Sequence, residues 1–342
     1  MNELKVTGEM NELLRRTVHS DIQIAMAAKR DLAIALSLPL KKGVMPGDNI
    51  AGIFSSERFE PGISPEFPLD FLSPGTERFF VAYTVPNTGK LPERHIEGDY
   101  IMVPTFDVGS RIDWSRKFAR DARWDIVGRA MKVLDSMFVR KKNDDGYHTI
   151  ITAAKNRGIA VVDGNATSGF FSKRVVSLAA VVMRRNAGGN STSVDRGKLT
   201  HIAMSPEGLE DIRSWDLTQV DEVTRREIFL NDNESMPLSK IFGVTLMDVD
   251  EFGESQSYQN YYVNTLSGSM TLGGYTKSEI CIGLDLMNKD SFVSPWRVQP
   301  NGQEIELIPD VTLLIQNREG YAARREYGIG LLDSRRVLLM AF

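Results

Sequence analysis

Residues 45–95 are rich in proline, glycine and aromatics, and they stand ahead of the first long amphipathic segment of the chain. They contain PGDN, EPGISPEFP, SPGTE and VPNTGKLP, with EGD just beyond, turn signals at short intervals. Short β-prone runs lie between them at 50–54, 67–72 and 79–85; the strongest strand is Arg78-Phe79-Phe80-Val81-Ala82-Tyr83-Thr84-Val85. A self-contained domain rarely places so long a connection before its first major helix. Such a segment takes its order from a neighbouring molecule. The alternation of strand and turn predicts a projecting two-stranded loop, and an isolated hairpin is marginal in water. The chain therefore reads as a subunit built for assembly.

A polar arm, 1–44, precedes this loop, with helical patterns over 3–14 and 20–36. In the second, Asp21 stands at a capping position and Ile22, Met26, Leu32 and Leu36 share one side. Pro39 and Gly43 stop it. Two readings stay open: helices tied to the chain's own core, or an arm that reaches a neighbour. After the loop, 100–104 and 108–114 read as strands that lead into a helix over 116–142. Trp124, Val127, Met131, Leu134 and Phe138 recur at spacings of three and four, beside a second stripe of Ile126, Ala130, Val133 and Met137. Asn143-Asp144-Asp145-Gly146 reads as its end.

A shorter helix over 148–155 follows, then one over 170–185 whose Arg184 and Arg185 suit the negative end of the helix dipole. From residue 199 the pattern becomes α/β. A strand over 199–204 leads to a helix over 209–215, introduced by Ser205 as cap and Pro206 at the first position. A helix over 221–230 and strands over 243–249, 261–266, 279–285, 305–309, 311–316 and 336–342 complete the chain.

Composition narrows the function. With 342 residues the chain has room for two or three domains, and 42% hydrophobic with 25% charged residues is ordinary for a globular protein. No apolar run approaches the ~20 residues that cross a bilayer; the longest, 175–183, is flanked by Lys173, Arg174, Arg184 and Arg185. The start, MNELKVTGEMNELLRR, lacks the pattern of a secretory signal, so Asn165 and Asn190 in their glycosylation-type triplets carry no meaning. Cys281 is the single cysteine, which excludes an internal disulfide and a cysteine zinc site. Both features fit a reducing cytosol. Within Ile280-Cys281-Ile282 the thiol is expected to pack as a small hydrophobe. Proteins that wrap tightly on DNA carry a strong basic excess; the net charge of −4 leaves room only for loose or local DNA contact.

Catalytic signatures are missing. Gly89-Lys90 and Gly197-Lys198 are each followed by leucine, with no phosphate-cradling glycines ahead. There is no H-E-x-x-H and no G-x-S-x-G. His19, His95, His148 and His201 stand apart, without metal-ligand spacing. Asp248, Asp250 and Glu251 form an acidic cluster that could offer oxygen ligands to a divalent cation, although a solvated turn is the favoured reading. A metal-dependent enzyme built on that cluster is a third reading of the chain. No catalytic residue, cofactor-binding residue or metal ligand is assigned, no cofactor is expected, and the chain is not expected to be an enzyme.

The order of elements resembles the major capsid protein of tailed bacteriophages, the Hong Kong 97-type shell fold, over most of the chain. The resemblance is carried by YIMVPTFDVGSRIDW leading into RKFARDARWDIVGRAMKVLDSMFVRKK, by LTHIAMSPEGLEDIRSW and by the closing YGIGLLDSRRVLLMAF. It implies an α+β fold with an N-terminal arm over 1–44, an extended β-hairpin loop over 45–98, a peripheral domain with a long spine helix over 99–158, an α/β axial domain over 159–325, and a return to the peripheral domain over 326–342. It further implies hexamers and pentamers in an icosahedral shell around double-stranded DNA, in a virion assembled in the bacterial cytoplasm. The partners implied are the chain itself, a separate scaffolding protein (the arm being short), a portal, a decoration protein and loosely held DNA, with no membrane. An encapsulin-like nanocompartment that encloses enzymes is the alternative with the same fold; the long proline-rich loop favours the virus. Some members of that family crosslink a loop lysine to a neighbour's asparagine. Lys90 and Asn317 lie in fitting segments, but no pattern marks either and neither is given a role.

Overall fold

The computed structural model describes residues 8–19, 22–44, 49–69, 99–121, 123–185, 197–215, 240–287, 289–299, 302–310, 312 and 318–342. The expected strand at 78–85, the helix at 221–230, nearly all of the strand at 311–316, and Asp21, Lys90, His95, Asn190 and Asn317 fall outside them. In chain order the helices are α1 (Gly8–Arg16), α2 (Ile22–Val44), α3 (Arg116–Arg120), α4 (Trp124–Asn156), α5 (Lys173–Arg185) and α6 (Pro206–Ser214). The strands are β1 (Ser55–Phe59), β2 (Glu66–Leu69), β3 (Asp99–Met102), β4 (Phe106–Ser115), β5 (Ala160–Val162), β6 (His201–Met204), β7 (Lys240–Ile241), β8 (Val244–Asp248), β9 (Thr271–Leu272), β10 (Tyr275–Thr276), β11 (Ile280–Leu284), β12 (Phe292–Arg297), β13 (Glu306–Pro309), β14 (Arg318–Tyr327), β15 (Gly330–Leu331) and β16 (Val337–Ala341). Two compact units form: one drawn from 1–67, 102–146 and 292–330, the other from 68–101, 147–291 and 331–342.

The first unit is a sheet ordered β1-β12-β14-β13, with β4 along the other side of β14. β4 and β14 run antiparallel from Phe106↔Tyr327 to Ser115↔Arg318. The inward residues Trp114, Tyr321, Ala323 and Leu307 pack against Leu14 of α1, Leu32 and Leu36 of α2, and Val127, Met131, Leu134 and Phe138 of α4. The spacing of three and four on α4 is thus the core-facing stripe; the side chain of Trp124 lies outside the described set. Leu14, Leu32 and Leu36 are fully buried, so the described part of the arm is tied to the chain's own sheet.

α4 departs from expectation at both ends. The chain leaves the helix after Arg120 and re-enters at Trp124, and the helix then runs on through Asn143-Asp144-Asp145-Gly146 to Asn156. The polar run does not end it because tertiary contacts occupy its polar groups. Asn143 Oδ1 accepts from the Ile50 N–H at 3.4 Å. Asp145 accepts from Lys141 Nζ at 2.6 Å and from the Tyr327 hydroxyl at 2.8 Å. Gly146 gives Ile50 room, since a Cβ there would stand 2.5 Å from Ile50 Cδ1. Apolar periodicity then resumes with the buried residues Tyr147, Ile150, Ile151 and Ala154. Ile50 itself is not in a strand: 50–54 was expected extended, but Asn49–Gly52 is a 3₁₀ turn in which Ile53 and Phe54 donate to the Ile50 carbonyl at 2.9 and 2.8 Å.

The second unit is a sheet ordered β5-β16-β11-β6-β8-β7. β11 is buried along its length, between antiparallel β16 and β6. α5 covers the sheet with Val175, Val176, Ala179 and Met183, and α6 with Leu209 and Ile212. α6 starts as its sequence dictates: the Ser205 hydroxyl accepts from the Gly208 N–H at 3.2 Å, with Pro206 in the first turn. The strand expected at 261–266 is instead a π-helical turn, Tyr261–Thr265, that continues Ser257–Asn260. Aromatic packing imposes it. Tyr258 lies 5.2 Å from the Tyr147 ring, and Tyr261 stacks on His148 at 4.0 Å. Helical spacing puts residues 258 and 261 on one side.

Gly146→Ala tests the α4 packing. In an open helix this change stabilises by about 1 kcal/mol. Here the methyl meets the β-branched Ile50, and a loss of about 1–3 kcal/mol is expected from overpacking. Urea unfolding decides: a raised midpoint would show that Ile50 does not constrain Gly146.

Candidate assembly surfaces

The arm helices are anchored by a buried polar cluster. Lys29 of α2 and Glu319 of β14 face each other at 3.5 Å, each side chain 4% exposed. The Thr17 hydroxyl, just past α1, lies 3.0 Å from Glu319 Oε2 and 2.7 Å from the Leu14 carbonyl. The Tyr321 hydroxyl donates to the Lys29 carbonyl at 3.4 Å, and Arg116 Nη2 to the Val18 carbonyl at 3.1 Å. Burial pushes the Glu319 carboxyl above its usual range, and the Lys29 ammonium is the largest opposing influence. Breaking such a pair leaves a buried charge, whereas replacing both partners is close to neutral. Its structural effect is to fix where α2 sits on the sheet. Lys29→Met should cost about 3–5 kcal/mol, and adding Glu319→Leu should recover most of it. Equal losses in the single and double variants, read by denaturant unfolding, would show that the pair is not coupled.

The second stripe of α4 is divided. Ile126 and Ala130 are partly buried, but Val133 and Met137 are 45% and 46% exposed. Met137 Sδ lies 3.1 Å from the Ser110 hydroxyl of β4. On the same helix turn, burial pushes the Asp135 carboxyl up to about 7, and its Oδ1 is buried without a hydrogen-bond partner among the described residues. An acid whose pKa is raised by folding adds no penalty below its unfolded pKa, near 3.8. The penalty grows as pH rises from there to about 7 and is complete above it. Asp135→Asn should therefore raise the urea midpoint at about pH 8 and leave it unchanged near pH 4. A variant that tracks the parent at both pH values would contradict this.

The second unit carries a groove of about 540 Å³ bordered by Asp163, Phe170, Phe171, Asp211 and Trp215. Several of its polar groups have internal partners. Phe171 donates its N–H to Asp211 at 2.8 Å, and Trp215 Nε1 donates to the Phe171 carbonyl at 2.9 Å. Asp163 accepts from the Ser172 hydroxyl at 2.7 Å and the Asn165 N–H at 3.0 Å. Desolvation would raise the Asp163 carboxyl, but these donors, with Arg174 and Lys277, hold it below the usual range.

Among the described residues, those singled out in the sequence do not converge. Asp248, Asp250 and Glu251 are exposed at the end of β8 and on the following turn. Desolvation, then the Asp250 charge, raises the Asp248 carboxyl. Among the described residues no three His, Cys, Asp or Glu side chains are placed to hold a metal ion. His148 is stacked on Tyr261, and His201 Nδ1 lies 2.9 Å from the Thr200 hydroxyl. Cys281 is buried in β11, where burial raises its thiol pKa. Lys29, Glu319 and Asp135 were not singled out. Lys29 had a signal, since it stands four residues from Ala25 and three from Leu32 on the buried stripe of α2.

No protein-family model matches the sequence, and no curated protein sequence matches it. Solved structures do match. The chain is similar to a structure from Microbacterium phage Oxtober96 (TM-score 0.57, 12% identity, 86% of this chain and 91% of that chain). It is also similar to the capsid of an empty GTA particle (0.53, 12%, 86% and 90%) and to the capsid of the cyanophage P-SCSP1u (0.51, 12%, 84% and 86%). At this identity the likeness is one of fold. The chain has the α+β Hong Kong 97-type capsid fold. No described helix is long and apolar enough to cross a membrane.

Proposed function

We propose that this chain is a major capsid protein, which self-assembles as hexamers and pentamers into an icosahedral shell around the double-stranded DNA of a tailed phage. The observation that carries this reading is the shared fold, over 84–86% of the chain, with phage and GTA structures. In this reading 1–44 is the arm, 45–98 the extended loop and 99–158 the peripheral domain with the spine helix. Because 292–330 belongs to the unit of β4 and 331–342 to the sheet of β11, the axial domain is taken as 159–291 with 331–342, rather than 159–325, and the return as 292–330, rather than 326–342. A closed shell asks one chain to make several different contacts with its copies. Obligate contacts of that kind often exceed about 2,000 Å², and an extended loop across a neighbour supplies area without a larger core. A chain of net charge −4 can enclose DNA without condensing onto it, because few phosphates are neutralised. A separate scaffolding protein, a portal and a decoration protein are its proposed partners, the virion its location and the host bacterial cytoplasm its place of assembly. The role is structural, not enzymatic. A nanocompartment around enzymes is the weaker reading, since the matches above a TM-score of 0.5 include phage capsids.

Deleting residues 67–85 tests the reading. The full chain, expressed with a phage scaffold if required, should give closed particles by electron microscopy. The deletion should give a soluble, folded subunit that forms none. Normal particles from the deletion would remove the loop from assembly, and no particles from the full chain would remove the shell reading.

A further inference from the structure

β4 presents an open edge. It spans ten residues, and among the described residues β14 is its only strand partner. Natural edges of this length are blunted by charged side chains, above all lysine, by proline, by bulges or by a covering element. β4 has no proline and no lysine, and its charges, Asp107, Arg111 and Asp113, are of both signs. Its outward residues Asp107, Gly109, Arg111, Asp113 and Ser115 are exposed, while Val108, Ser110 and Ile112 turn inward. On the inner side the exposed Met137 of α4 stands against Ser110 of β4.

The sequence of β4 says which strand fits. We infer that β4 pairs antiparallel with β4 of a second copy about a two-fold axis at Gly109, a joint that rests on the shell reading. In this register Asp107 faces Arg111 of the second copy, and Arg111 faces its Asp107. Phe106 faces Ile112, and Gly109 faces Gly109. Cross-strand pairs of opposite charge and of apolar side chains stabilise a sheet, and like charges opposed destabilise it. A slide of two residues one way sets Asp107 against Asp113; a slide the other way leaves both charges unmatched. Asp107 is exposed and among the described residues forms no ion pair; its neighbour across the β4–β14 ladder, Glu326, is a like charge already paired with Arg297 at 3.3 Å. Arg111 is half exposed, held on one side by Asp310 at 3.0 Å and open on the other.

Gly109 supports the same axis. Glycine inside a strand marks a bulge, a bend or the close approach of another backbone. Among the described residues nothing in its own subunit requires it: its φ is not positive, and a Cβ would meet Ala323 O at 3.5 Å and Arg324 Cγ at 4.0 Å, both ordinary contacts. At the two-fold axis, paired Cα atoms come within about 4.5–5.5 Å. The seam is smaller than a stable stand-alone interface. It forms where many copies are already held together and the effective concentration is high. An isologous contact of this kind is what joins two rings across a two-fold axis of a closed shell.

The test is a disulfide across the axis in assembled particles. Gly109→Cys leaves the fold room, and Cys281 is buried and does not compete. Mild oxidation of Gly109→Cys particles should give a dimer-mass band on a non-reducing gel. Asp113→Cys should give none, because two residues 113 would lie roughly 27 Å apart at about 3.4 Å per residue, beyond the reach of a disulfide. If cysteine at 109 stops particle formation, charge reversal reads the same seam. Asp107→Arg alone should lower particle yield, and Asp107→Arg with Arg111→Asp should restore it. Particles with no 109–109 crosslink, an equal crosslink at 113, or no rescue by the double reversal would overturn the joint and leave the shell reading standing. Absence of particles from the parent chain would overturn the shell reading, and the joint with it.

Discussion

The first unit depends on the alternation of β14. Its residues Glu319, Tyr321, Ala323, Arg325 and Tyr327 all turn inward and are buried. Four of the five each fix a different neighbour. Glu319 holds Lys29 of α2 and Thr17 beyond α1. The Tyr321 ring lies 5.7 Å from Trp114 of β4. Arg325 pairs with Glu304, just ahead of β13. Tyr327 donates to Asp145 on α4 and packs 5.0 Å from Phe106. A one-residue slip of this strand would turn all five outward. Because two of the five are charged, the slip would also take Glu319 from Lys29 and Arg325 from Glu304. Buried charges of this kind add little net stability; their effect is on register.

That same chemistry decides what could be read from sequence. Elements whose buried positions are all apolar were legible: the core stripe of α4, the faces of α5 and α6, and β11. β14 was not, because Glu319 and Arg325 interrupt its apolar alternation and make REGYAARREY look like solvated chain. β1, with the sequence SSERF, is a half-buried strand that pairs in parallel with β12, and its polarity hid it. The end of α4 was misplaced because Asn-Asp-Asp-Gly is a stop signal only when its groups are free to fold back on the chain; here Ile50 and Tyr327 take them. The turn at 261–265 follows from Tyr147 and His148, far away in sequence.

The candidate surfaces were less legible than the fold. Assembly leaves no signature comparable to a metal motif. What marks it is a mismatch: an apolar stripe that stays exposed at Val133 and Met137, and a long strand edge with no partner among the described residues. Both can be seen only once α4 and β4 are placed. The same reasoning explains how the fold is shared at 12% identity with phage structures. Burial periodicity and register define it, and many residue choices satisfy them.

The most direct measurement is an electron cryomicroscopy reconstruction of particles from the full-length chain, produced with a scaffolding protein where needed. The account predicts a closed icosahedral shell of hexamers and pentamers, with α1 and α2 of each copy lying on that copy's own sheet. A chain that stays monomeric at high concentration in the presence of scaffold would contradict it.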